Sequence, residues 1–151
     1  MKIKSRHKKV LVEIICLLFI ILFVYAGLTK LMEGDRFYTN LNNSPLFGIK
    51  TLAGIMSWVI PILEIMIAAL LAWPKTRLIG LYSALGLMII FTAYTAGILF
   101  ISPYAPCSCG GVITLLSWKQ HFILNTLWIV LAIMGIVLYP KFRKLYGPVS
   151  C

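Results

Sequence analysis

Residues 10–31 read Val10-Leu11-Val12-Glu13-Ile14-Ile15-Cys16-Leu17-Leu18-Phe19-Ile20-Ile21-Leu22-Phe23-Val24-Tyr25-Ala26-Gly27-Leu28-Thr29-Lys30-Leu31, an apolar run broken only by Glu13 and Lys30. At ~1.5 Å per residue, a helix of this length crosses the ~30 Å hydrocarbon core of a bilayer. A basic stretch (Lys2, Lys4, Arg6, Lys8, Lys9) precedes it, and Val24-Tyr25-Ala26 faintly resembles a signal cleavage site. Its apolar core exceeds the roughly 7–15 residues of a signal peptide, and three more such runs follow, so an uncleaved first membrane helix is the reading. The others span about Leu52 to Trp73, Leu78 to Ile101 and Phe122 to Tyr139.

Composition agrees: 61% of the 151 residues are hydrophobic and 12% are charged, against roughly 25% charged in a soluble domain. Lipid cannot satisfy exposed backbone groups, and the apolar positions alternate too weakly for barrel strands, which leaves helices. The expected fold is all-α, a four-helix membrane bundle over residues 10–140, with basic tails at 1–9 and 141–151. The net charge of +10 does not point to nucleic acid, because the basic residues sit between apolar runs rather than on a folded polar face.

Those charges set orientation. The N-terminal tail, the turn with Lys75 and Arg77, and the C-terminal tail with Lys141, Arg143 and Lys144 together hold ten basic residues, whereas Lys30, Arg36, Lys50 and Lys119 fall on the other side. Both termini are therefore expected in the cytoplasm of a bacterium, in its inner membrane, with the longer connections, about 32–51 and 102–120, outside. Trp73, Tyr104, Trp118 and Tyr139 fit interfacial belts. The short turn Pro74-Lys75-Thr76 makes the second and third spans antiparallel neighbours. Small residues, Gly80, Ala84, Gly86, Ala93 and Gly97, are expected where backbones approach closely. Ser117 and Gln120 form a capping box at the start of the fourth span, and Glu33 to Pro45 reads as a short interfacial helix ended by a turn.

Two places carry chemistry. The second long connection holds Pro106-Cys107-Ser108-Cys109-Gly110-Gly111, two thiols one residue apart facing an oxidising compartment. A bridge between them needs a backbone turn, which Gly110 and Gly111 can help to provide, and so small a ring is strained and labile. As a staple it removes little unfolded-state entropy. Thiol–disulfide exchange is the leading reading. A soft-metal site for Cu(I) or Zn, an inert clip, and free thiols are the alternatives; two sulfurs alone make an incomplete metal site. Lys119 and His121 lie close enough in sequence to favour a thiolate. Cys16 and Cys151 read as a passive core residue and a tail thiol.

The other place is Glu64, ~14 Å from the Trp73 end of its span and near mid-bilayer. A carboxylate there is either neutral or paired inside the bundle. Tyr25, Thr92, Tyr94 and Thr95 match its depth, whereas Lys30 is expected to sit ~10 Å or more away toward the outer end. Glu64 is thus a proton-handling or quinone-binding group, or a structural polar anchor. Pro61 frees the Ser57 carbonyl and is expected to kink the helix.

Taken in order, Tyr25-Ala26-Gly27-Leu28-Thr29-Lys30-Leu31, Asn43-Ser44-Pro45-Leu46, Trp58 with Pro61 and Glu64, the Cys107–Cys109 block, and Leu116-Ser117-Trp118 resemble the MauE/DoxX family of redox-associated membrane proteins. The match runs over roughly residues 15 to 135, and the cysteine block is its most specific part. The resemblance implies help in maturing a disulfide-rich periplasmic protein in methylamine utilisation, and, through the DoxX relatives, coupling to a quinone. The plan is also similar to vitamin K epoxide reductase-like proteins, except that a second outer cysteine pair is missing. The expectation is therefore a thiol–disulfide redox protein with a periplasmic thiol client and Cys107 and Cys109 as the exchanging pair. A non-catalytic anchor subunit and a metal-handling protein are the competing readings.

Overall fold

The computed structural model describes residues 2–43, 50–100 and 117–146. Among these residues there are five helices and no strand: α1 (Lys2–Met32), α2 (Gly34–Asn42), α3 (Lys50–Ala72), α4 (Arg77–Phe100) and α5 (Trp118–Tyr146). All but α2 are long and apolar enough to cross a membrane. The four expected spans are present, and α2 is the expected short helix of the first connection. Helix continues into both basic tails, to Lys2 at one end and Tyr146 at the other.

α1 packs along α3 and α4 along α5, while α1 against α5 and α3 against α4 close the ring, leaving α3 and α5 diagonal. The core is apolar: Ile15, Phe19, Phe23, Ile67, Leu71, Leu81, Ala84 and Ala132 are all buried. Cys16 is buried among them, as a small apolar residue would be. Leu17, Ile21, Trp58, Met66, Ile90 and Ile123 point outward and are exposed. Apolar on the outside as well as the inside, the helices suit a lipid solvent.

Close approach follows small residues in part. A Cβ added at Gly80 would lie 2.9 Å from Leu71 Cγ and 3.0 Å from its backbone nitrogen, so α3 and α4 touch through this glycine. Ala84 is fully buried. Gly86 has open space around it and Ala93 is exposed, so these two do not serve as contacts. Gly27 and Gly135 do: Gly27 closes on Ile65 and Pro61, and Gly135 on Leu81 and Ile15.

The α3–α4 turn is held by its own polar groups. Thr76 Oγ1 donates to the Leu70 carbonyl at 2.8 Å and Arg77 Nε to the Leu71 carbonyl at 3.2 Å, occupying carbonyls that the end of α3 leaves free. Tyr139 of α5 donates its hydroxyl proton to the Pro74 carbonyl at 3.1 Å and fastens the turn to the last helix. At the opposite end, the capping box forms as expected. Ser117 N–H donates to Gln120 Oε1 at 2.9 Å and Gln120 N–H to Ser117 Oγ at 3.4 Å.

Candidate functional site

The α1–α3 crossing sets the site. A Cβ at Gly27 would come 3.0 Å from Ile65 Cγ1, 3.1 Å from the Pro61 carbonyl oxygen and 3.5 Å from Glu64 Cβ, so the two backbones close here. α1 ends at Met32, only about 8 Å past this crossing, whereas α3 runs on for about 20 Å to Lys50. The helices are therefore staggered. The height that α1 lacks is filled by α2, whose Phe37 and Leu41 pack on Ala53 with Tyr38, Met56 and Ile60 around them.

This stagger brings Lys30 to Glu64. Lys30 Nζ donates to Glu64 Oε1, in an ion pair whose carboxylate side chain is 1% exposed and whose lysine side chain is 13% exposed. The expectation that Lys30 lies too far out to reach Glu64 is overturned. It assumed that all spans end flush at the outer surface, but Lys30 is only one helical turn from Gly27, and its stem covers that distance. Three of the four alternatives are otherwise occupied or turned away. Thr92 Oγ1 and Thr95 Oγ1 each donate at 2.7 Å to carbonyls of their own helix, at Met88 and Phe91. Tyr25 is 47% exposed. Of the two conditions set for Glu64, a partner inside the bundle is the one this fold provides.

The ammonium is also placed among aromatic faces. Lys30 Nζ stands 5.3 Å from the centroid of Phe91 and 5.8 Å from that of Phe37. Both are within the ~6 Å over which a ring quadrupole attracts a cation. The site thus draws one residue from each of α1, α2, α3 and α4. Attraction within a low-dielectric interior offsets the desolvation of the two charges only when their remaining hydrogen-bonding groups are met. They are not fully met: Glu64 Oε2 is buried without a hydrogen-bond partner among the described residues.

On α5, Lys119 is exposed and His121 half-buried, both in the first turn, where the His121 N–H donates to the Ser117 carbonyl. Cys107 and Cys109, expected to exchange electrons, and Cys151 lie outside the described residues. In the chain, the cysteine pair falls between Phe100, which ends α4, and Trp118, which begins α5. Two polar residues were missed by sequence reading. Asn125 is 5% exposed and its Nδ2, like Trp128 Nε1, is buried without a partner among the described residues. The available signal was an amide in the middle of an apolar run.

Four spans around a lysine–carboxylate pair whose carboxylate is buried, with a cysteine pair in the chain between the last two spans, define a polytopic membrane protein with polar chemistry in its interior. The chain belongs to the MauE family, described as methylamine utilisation protein MauE, whose profile it matches over residues 8–138. No curated protein and no solved structure matches it significantly.

Proposed function

We propose that this protein is a membrane-bound thiol–disulfide redox protein that assists the oxidation or maturation of a periplasmic partner in methylamine utilisation, with Cys107 and Cys109 as the exchanging pair. The supporting observation is where the chain puts them. They join the ends of α4 and α5, and the fold sets those ends at the same end of the bundle as α2. In the inner membrane with both termini in the cytoplasm, that end faces the oxidising side.

In the exchange, a client thiolate attacks one sulfur of the Cys107–Cys109 disulfide, and the other sulfur leaves as a thiolate. The second client thiol then displaces the mixed disulfide, leaving an oxidised client and a reduced pair. Reoxidation of the pair requires an acceptor of two electrons and two protons. A lipid-soluble quinone is the acceptor class suited to a membrane bundle, and it would supply the electron sink. Glu64, with a buried oxygen not committed to Lys30, is the group on this chain suited to hold a proton in transit. Lys119 and His121, at the head of α5, favour the thiolate form of a reduced cysteine.

The test is the redox state of the pair in intact membranes, using a variant lacking Cys16 and Cys151. A membrane-impermeant maleimide should label Cys107 and Cys109 only after mild reduction, and single Cys107→Ser or Cys109→Ser variants should trap a client as a mixed disulfide. Labelling without reductant that persists under oxidant would discard the exchange reading in favour of an anchoring subunit.

A further inference from the structure

Four polar residues are buried among the described residues: Ser57, Glu64, Thr95 and Asn125. Ser57 and Thr95 satisfy themselves on carbonyls of their own helices, Gly54 and Phe91. Glu64 Oε2, Asn125 Nδ2 and the indole Nε1 of Trp128 have no partner among the described residues. Native interiors rarely leave such groups unmet, and in a lipid-embedded bundle no bulk solvent can meet them.

Two of these atoms lie on one helix face. His121, Asn125 and Trp128 are spaced i, i+4 and i+7 and so share one face of α5. Trp128 lies against Phe19 of α1, with ring centroids 5.0 Å apart. That face of α5 therefore rises about 10 Å from the level of Phe19 toward that of Gly27 as it runs from Trp128 to His121. Asn125 is one turn inward of His121. Gly27, which meets Glu64 Cβ, is one turn inward of Lys30. Asn125, one turn above Trp128, is near the level of Leu22, so Glu64 and Asn125 point into the bundle from diagonal helices within about 8 Å of the same depth. Deeper still, Ile15, Leu71 and Leu81 form a layer at most 1% exposed. Toward the α2 end, the groups become progressively more accessible, from Glu64 to Lys30 to Lys119.

We propose that the interior between Glu64 of α3 and the Asn125–Trp128 face of α5 holds ordered water, admitted from the α2 end and stopped by the layer of Ile15, Leu71 and Leu81. The Lys30–Glu64 pair then exchanges protons with one side of the membrane only. Water is the occupant that fits the chemistry, because the unmet set mixes a carboxylate acceptor with amide and indole donors. A water molecule serves both kinds, typically with about three hydrogen bonds. The inference is independent of the cysteine pair and holds whether or not thiols are exchanged.

Hydrogen–deuterium exchange in the unmodified protein in lipid nanodiscs, read by NMR, tests it without a variant. The Trp128 indole N–H and the Asn125 side-chain amide should exchange at least about tenfold faster than the backbone amides of Leu81 and Ala84, since local hydration removes the need for global opening. Exchange as slow as those amides would overturn the proposal. Sidedness is read with Asn125→Cys and Leu71→Cys, each in a background without other cysteines, using a small charged methanethiosulfonate applied from either side. Asn125→Cys should react from the α2 side alone and Leu71→Cys from neither. Reaction of Asn125→Cys from the terminal side, or from neither while Lys119→Cys reacts, would refute one-sided access.

Discussion

In the half of the bundle nearest the chain termini, Ile15, Phe19, Leu71, Leu81 and Ala84 meet with at most 1% exposure, and glycines at 80 and 135 let the backbones close on them. In the half nearest α2, the same helices surround a lysine, a carboxylate and an amide, with two of those side chains incompletely bonded among the described residues. The first half is packed as a stable interior is packed. The second keeps polar groups that a purely structural bundle would replace with leucine, at a cost in stability, and so it is the half in which function is to be sought.

The contrast can be broken most sharply at the ion pair. Lys30→Met or Glu64→Leu alone leaves a buried charge or carboxyl without its partner and should cost about 3–5 kcal/mol. The double replacement should recover most of that loss, as read by detergent unfolding. If the double variant is as unstable as the singles, the polar half is structural after all. In the apolar half, Leu71→Ala should cost about 2–5 kcal/mol through the cavity it opens, and, by thinning the layer that stops water, should admit proton exchange at Glu64 from the terminal side as well. Gly80→Ala drives a methyl into the Leu71 backbone and should cost about 1–3 kcal/mol. Gly86→Ala meets open space, and the better helix propensity of alanine should stabilise by up to about 1 kcal/mol. Comparing these two glycine variants in one thermal series checks the contact assignment directly.

Much of the apolar half was legible in the sequence, because lipid demands about 20 consecutive apolar residues per span and imposes helix on each. The capping box at Ser117 and Gln120 was legible as well, since its two bonds depend on local spacing alone. Glu64 stood out as an acid in mid-span. Its pairing with Lys30 did not, because depth was counted from the ends of each run, and only the fold reveals that α1 stops short and α2 takes up the remaining height. Gly27 and Gly135 look no different in sequence from Gly86; what distinguishes them is the residue that arrives opposite, Ile65 or Leu81. Asn125 and Trp128 stayed hidden for a related reason, since an isolated polar residue in an apolar run reveals its role only when the missing partner can be seen.

The partners of the ion pair are 34 residues apart in the chain, which gives the stagger a consequence during synthesis. When the first span enters the membrane, Glu64 has not yet been made, and at ~5–20 residues per second it follows some seconds later. During that interval Lys30, close to the end of its span, keeps its charge at the lipid–water boundary by extending its stem outward. Arrival of the second span brings Glu64 within its reach. The pair therefore closes only once the second span has entered in register with the first.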